Sequence, residues 1–229
     1  MSEELGLENF KPSTKNIAVK NFSQSFSLSG RLDAEFYQPK YDDIEEKISA
    51  NSIGKIKDFF VQVKKICDRK EKFYNYIEIG DINISTGDAE SNLIATENLP
   101  DNAKIMTQAG DILISKVRPN RGAISILKEN NFLVSGAFTV LRATKNFSTE
   151  VLQVLLRLLI YKNFLLKFNV GTSYPVIKDE DVLKIPLPKI SEEVQEKISE
   201  LVEKSFELRA ESKNLLDQAK ILVERKIES

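Results

Sequence analysis

Lys116-Val117-Arg118-Pro119-Asn120-Arg121-Gly122 places three cations within six residues, with Pro and Gly forcing a bend between two β-prone runs. Guanidinium forks presented on such a turn match the paired acceptors of phosphates and of guanine edges, so Lys116, Arg118, Asn120 and Arg121 are candidates for contact with nucleic acid. The loop from Gly171 to Tyr174 supplies backbone N–H groups, the hydroxyls of Thr172 and Ser173 and the Tyr174 ring, with Lys178 close behind. That combination suits a phosphate. A second cluster, Lys64, Lys65, Arg69, Lys70 and Lys72, is broken only by Asp68 and Glu71 and has the composition of a backbone clamp. A solvated turn or loop remains the plain alternative for each.

Other chemistry is excluded by residue type. The chain has no His and a single Cys, Cys67. It therefore cannot build a Ser-His-Asp triad, a Cys-His dyad, a Cys/His zinc site or an internal disulfide. No glycine-rich loop of the Walker or dinucleotide pattern occurs, and the Asn-Pro-Pro-aromatic signature of amino-methyltransferases is missing. Glu45-Glu46-Lys47 has the Glu-x-Lys spacing of one nuclease class but falls on a predicted helix with no Asp placed to share a magnesium ion. No catalytic residue and no metal site are expected. Cys67 sits beside the basic cluster, but a lone thiol without a base has no assigned role.

The net charge of -1 conceals an uneven distribution. Residues 1–103 hold 13 Lys+Arg against 18 Asp+Glu, residues 104–178 hold 11 against 3, and residues 179–229 hold 9 against 13. A basic segment between acidic ones is the pattern expected when one face must attract a polyanion.

These residues need elements to hold them. Pro39 suits the first turn of a helix over Pro39 to Ser49, with Tyr41, Ile44 and Ile48 on one face. Short β-prone runs follow at Phe59–Val63, Phe73–Ile79, Ile112–Val117, Ala123–Leu127, Phe132–Ser135 and Phe138–Arg142, punctuated by Gly80-Asp81, Gly87-Asp88 and Gly110-Asp111. Met1 to Gly30 reads as a loop, with room for one strand within Ile17 to Phe26, and Asn92 to Asn102 reads as a polar loop suited to base readout. Ser148 is a good N-cap for one helix from Thr149 to about Phe168, with a broad apolar face. Pro186 and Pro188 mark a hinge. Beyond it, Ser191 caps a helix in which Val194, Leu201, Leu208, Leu215 and Leu222 recur every seventh residue, with Ile198 and Ala219 interleaved. This is a coiled-coil seam, and a helix from Glu192 to Glu228 would be ~55 Å long. Ser205, Ser212 and Lys226 interrupt the seam and set its register. The expected architecture is α+β: an N-terminal segment (1–30), a compact β-rich domain with packed helices (31–185), a proline hinge (186–191) and a long C-terminal coiled-coil helix (192–229).

No apolar run approaches the ~20 residues that span a bilayer, and the acidic N-terminus is unlike a signal peptide, so a soluble cytoplasmic protein is expected.

Read in order, several stretches resemble the specificity subunit of type I restriction-modification systems, and specifically half of one. Arg31-Leu32-Asp33-Ala34-Glu35-Phe36-Tyr37-Gln38-Pro39-Lys40-Tyr41 is similar to the opening of a target recognition domain. Tyr76-Ile77-Glu78-Ile79-Gly80-Asp81-Ile82, Gly110-Asp111-Ile112-Leu113-Ile114-Ser115-Lys116-Val117-Arg118-Pro119 and Val134-Ser135-Gly136-Ala137-Phe138-Thr139-Val140-Leu141-Arg142 resemble its strands. Gly171-Thr172-Ser173-Tyr174-Pro175-Val176-Ile177, leading to Ile185-Pro186-Leu187-Pro188, resembles the passage to its spacer helix. The resemblance implies a non-catalytic, sequence-specific DNA-binding subunit that reads one half-site of a bipartite target in double-stranded DNA. It also implies docking to DNA methyltransferase (M) subunits that hold S-adenosylmethionine, and to restriction (R) subunits using ATP and Mg where a system has them, with no cofactor on this chain. A two-domain subunit pairs two spacer helices antiparallel. A chain with one of each is either a half-subunit that forms a homodimer through its helix or a piece of a longer protein. The alternative from another class is a non-catalytic coiled-coil assembly adaptor with a protein-binding head.

Overall fold

The computed structural model describes residues 5–171 and 173–227. In chain order its elements are α1 (Phe26–Ser29), α2 (Pro39–Ser49), β1 (Ser52–Lys55), α3 (Ile56–Phe59), β2 (Phe60–Gln62), β3 (Phe73–Ile77), β4 (Asn92–Ala95), β5 (Ala103–Met106), β6 (Ile112–Ser115), β7 (Ile124–Ile126), β8 (Phe132–Ser135), β9 (Phe138–Ala143), α4 (Thr149–Arg157), α5 (Leu159–Leu166), α6 (Asp179–Leu183), β10 (Pro186–Pro188) and α7 (Glu192–Ile227). The chain divides into two units, one ending at Ile190 and the other beginning at Ser191.

Two four-stranded sheets make the first unit, in the orders β2-β9-β6-β7 and β4-β3-β8-β5, with a separate β1-β10 pair. All pairings are antiparallel except β3 with β8. Alternating side chains account for the layering. Ile77, Leu113, Val134, Phe138 and Val140 form a shared apolar core with Val63, Ile82 and Leu127, while Tyr74, Tyr76 and Leu133 form a second cluster with Leu99 and Ala103. α4 packs on β7, and its Val151, Leu152, Leu155 and Leu156 are buried. α2 forms over the residues its apolar spacing predicts, with Tyr41, Ile44 and Ile48 inward.

One buried charge helps hold the first sheet. Asp111, wholly buried, accepts from Arg142 Nε at 2.7 Å and Nη2 at 2.9 Å, and from the Gln108 N–H at 2.9 Å. The hydrogen bond to Asp111 raises the Arg142 pKa. Asp111→Ala leaves the guanidinium and the Gln108 N–H without this acceptor, so it should cost about 3 kcal/mol, at the low end for a broken buried pair because Arg142 is part-exposed. Thermal denaturation should fall by roughly 6–12 °C.

The structure corrects several sequence expectations. Residues 17–26 form no strand; Ile17, Val19 and Phe22 lie exposed, and the first element begins at Phe26. Asn92 to Asn102 is not a loop throughout: β4 occupies Asn92–Ala95 and a 3-10 turn Thr96–Asn98. β4, half exposed and half intermediate, lacks the alternation that marks a half-buried strand, because it is an edge pairing only with β3. The single helix expected from Thr149 to Phe168 is two. Ser148 Oγ accepts from the Val151 N–H at 3.2 Å as an N-cap, but Leu158 is extended (φ -64°, ψ 144°) and α5 starts anew. The break lets α4 lie on β7 while α5 packs on α2 and on the turn Pro119–Arg121.

The expected hinge is in part a strand. Pro186–Pro188 is buried and pairs with β1, which proline tolerates because the pair leaves an edge needing no N–H donor. The Ile56 N–H donates to the Ile185 carbonyl at 3.0 Å and the Lys189 N–H to the Asn51 carbonyl at 2.8 Å, tying this stretch into the first unit.

The second unit is the helix α7. Ser191 Oγ accepts from the Val194 N–H at 3.4 Å at its start, and Glu192 and Glu193 occupy the first turn, where the helix dipole favours negative charge. Among the described residues no helix is long and apolar enough to cross a membrane.

Candidate nucleic-acid interface

The turn after β6 and the loop before α6 meet. Pro119–Arg121 is a 3-10 turn between two left-handed residues, Arg118 (φ 49°, ψ 53°) and Gly122 (φ 75°). The Arg118 N–H donates to the Pro175 carbonyl at 2.7 Å, the Ile177 N–H to the Lys116 carbonyl at 3.0 Å, and Val117 and Val176 form a β-bridge. Arg118 and Tyr174 therefore share one surface, with the guanidinium carbon 5.5 Å from the ring centroid. A non-glycine residue held in the left-handed region is strained, and such strain concentrates at functional sites.

The loop is closed at its base by Asn169, whose Oδ1 accepts from the Gly171 N–H at 2.8 Å and the Val176 N–H at 3.0 Å. Gly171 is required there, since a Cβ would lie 2.0 Å from the Tyr174 carbonyl oxygen. Arg31 secures the same base: it forks Asp33 at 2.8 and 2.6 Å, donates to the Asn169 carbonyl at 2.7 Å and lies over the Phe36 ring. From behind, α5 braces the Pro119–Arg121 turn. Two segments about fifty residues apart in sequence are thus preorganised as one site, in which Arg118, Asn120, Arg121, Ser173 and Tyr174 are exposed. Thr172 lies outside the described residues.

Not every predicted cation joins them. Lys116 pairs with Asp179 at 3.3 Å, and Asp179 also accepts from the Thr139 hydroxyl at 2.6 Å, so Lys116 anchors the turn to α6. Lys178 is exposed but lines a separate cleft of about 940 Å³ of mixed charge, together with Arg31, Asp33, Glu180, Asp181 and Lys184. The charge surplus of residues 104–178 overstates the free positive surface. Besides Lys116, Arg142 is held by Asp111, Lys167 by Glu45, and Arg157 by the carbonyls of Ile84 and Ser85. The Lys167 contact places Glu45, of the Glu-x-Lys spacing, in an ion pair.

The Lys64–Lys70 segment runs along the edge of β5: the Met106 N–H donates to the Lys65 carbonyl and the Cys67 N–H to the Lys104 carbonyl, each at 2.8 Å, and Ile66 bridges Ile105. Arg69 is taken up there, donating to the carbonyls of Pro100 and Ala103 at 2.9 and 3.1 Å. Lys70 pairs with Asp68, and Lys64 and Lys65 are exposed. This cluster belongs to the second sheet, whereas the Arg118 turn leaves the first.

With this geometry in hand, the sequence matches the family model of the type I restriction modification DNA specificity domain over residues 45–219. The chain belongs to this family. Among solved structures it is similar to the HsdS subunit from Thermoanaerobacter tengcongensis (25% identity, TM-score 0.56) and to a chain from work on complex assembly and conformational transition of the type I R-M system (25% identity, TM-score 0.58). Each alignment covers 72% of this chain and 44% of the other, so this chain spans less than half the length of the structures it matches. A search of curated proteins finds no match.

The mixed α/β specificity domain followed by a long helix accords with these relatives. Within α7, Val194 and Ile198 are half-buried, whereas Leu201, Leu208, Leu215, Ala219 and Leu222 are exposed in the single chain. The heptad positions thus form an apolar stripe, the pattern of a coiled-coil partner. Sequence reasoning missed two contributors to the candidate site: Asp179, which pins Lys116, and the segment 79–84 beside Arg118 and Arg121. The only signal for the latter was the apolar pair Ile82 and Ile84 between two Gly-Asp turns.

Proposed function

We propose that this chain is a non-catalytic DNA-reading subunit that contacts one half-site of a bipartite target in double-stranded DNA. Its interface is Arg118, Asn120, Arg121, Ser173 and Tyr174, with Thr172 and Lys178 as further contacts proposed from the sequence alone. The helix α7 pairs with a second copy, so a two-fold dimer reads an inverted repeat. DNA methyltransferase subunits holding S-adenosylmethionine dock on the assembly, and restriction subunits join in systems that have them. Lys64, Lys65 and Lys70 add sequence-independent backbone attraction.

The observation that supports this reading is the joining of the Arg118 turn to the Tyr174 loop through the 2.7 Å bond from the Arg118 N–H to the Pro175 carbonyl, in a domain of the specificity family. It presents two guanidinium groups and a ring on preorganised backbone, as base and phosphate recognition demand.

The test is co-expression with the methyltransferase from the same operon, followed by genome-wide mapping of modified adenines. The expected result is one recurrent split, inverted-repeat motif that vanishes when this chain is omitted. For duplexes carrying that motif, log K should fall with log salt at a slope near -0.9 for each phosphate neutralised. A salt-independent interaction and no chain-dependent motif would instead point to a protein-binding head.

A further inference from the structure

Beside the Arg118 turn lies a cleft of about 440 Å³. Exposed Arg118, Arg121, Tyr174 and Ile84 line it together with the less exposed apolar residues Ile79, Ile82, Val117 and Ala123. Ile82 and Ala123 are buried core residues, but Ile84 is 53% exposed and faces water in the free chain.

The turn that carries Ile84 is held firmly. In the turn 83–88, the Asn83 carboxamide oxygen accepts from the Ser85 N–H at 2.9 Å and the Gly87 N–H donates to the Asn83 carbonyl at 2.7 Å. Arg157 donates to the carbonyls of Ile84 and Ser85 at 3.0 and 2.6 Å, and Gln153 to that of Ile124 at 3.2 Å. Gly87 (φ 81°) permits this approach, because a Cβ would lie 2.1 Å from the Arg157 guanidinium. An exposed Ile on a turn anchored by an arginine is a preorganised apolar surface beside two cations.

We propose that this cleft is a base-edge pocket that takes the C5-methyl group of a thymine in the major groove, with Ile84 as the specificity-determining residue. The inference rests on the DNA-reading function above and names what one part of that site reads. The cations complement the polyanion and draw the duplex in. The apolar side chains then discriminate. Every base presents a polar acceptor or amino group in the major groove, thymine O4 included, and these lose hydrogen bonds to water against an isoleucine side chain. Thymine alone presents a methyl group, which gains by burial.

The full chain, co-expressed with its methyltransferase, is used to select duplexes from a randomised pool, and each thymine of the enriched target is replaced singly by uracil, which lacks only the methyl group. At one thymine per half-site, the replacement should weaken binding by about fourfold, the value of one buried methyl. In Ile84→Ala that penalty should vanish, and in Ile84→Val it should be intermediate. The exposure of Ile84 allows both variants to fold, which thermal denaturation checks. Enriched duplexes that tolerate uracil at every thymine, contain no thymine, or keep the same penalty in Ile84→Ala would overturn the pocket while leaving the DNA-reading function standing. Failure to enrich any duplex would remove both.

Discussion

Arg118→Ala combined with Arg121→Ala is expected to weaken binding of the selected duplex on the order of a thousandfold, since each well-placed guanidinium contributes about 1–3 kcal/mol. Target methylation in co-expressing cells should fall with it. Neither side chain is buried, so thermal stability should hold. Arg118→Gly separates recognition from folding more sharply. Arg118 sits at φ 49°, where a Cβ-bearing residue is strained by roughly 1–2 kcal/mol and glycine is not, although glycine adds entropy to the unfolded chain. The variant should melt at or above the wild-type temperature and still lose target binding. Binding equal to wild type in both variants, measured by fluorescence anisotropy, would clear the turn of a recognition role.

The second large effect is in the helix. If α7 pairs as proposed, the wild-type chain should sediment as a dimer and Leu208→Glu combined with Leu215→Glu as a monomer. Two leucines on each of two helices leave an apolar interface at about 1.5–3 kcal/mol apiece, a loss of roughly 6–12 kcal/mol before the cost of burying carboxylates. Both leucines are more than half exposed in the single chain, so the substitutions remove little of its own packing. Leu208→Ile with Leu215→Ile, which keeps the stripe apolar, should remain dimeric. A mass unaffected by the glutamates would eliminate helix pairing through this seam.

Local pattern accounts for much of the fold. α2 begins at Pro39 and ends at Ser49 because proline fits a first turn and Tyr41, Ile44 and Ile48 share a face. β8 and β9 follow from their apolar β-prone runs, and α7 from its sevenfold repeat and its acidic first turn. The elements that were not legible are those whose conformation a neighbour imposes. β10 is a strand only because β1 lies beside it, and no proline pair suggests that on its own. Leu158 has neither proline nor glycine to announce a break; α5 turns away because α2 and the Pro119–Arg121 turn offer it a surface that a straight continuation of α4 would miss.

The candidate site divides in the same way. Arg118, Arg121 and Tyr174 were legible from charge, turn residues and an aromatic in a polar loop, and so was the likeness to the specificity family. The lack of His and the single Cys also exclude a Ser-His-Asp triad, a Cys-His dyad, a Cys/His zinc site and an internal disulfide from this chain's own residues. What only the tertiary structure decided is which cations are free. Lys116, Arg142 and Lys167 meet carboxylates from other segments, and Arg69 and Arg157 meet carbonyls that a composition count cannot see. Ile84 likewise shares a cleft with Arg118, on a turn that Arg157 anchors from another segment. Periodicity and capping act over a few residues, so a sequence states them outright. Ion pairs and clefts depend on contacts between residues tens of positions apart, and those exist only once the chain has closed its sheets.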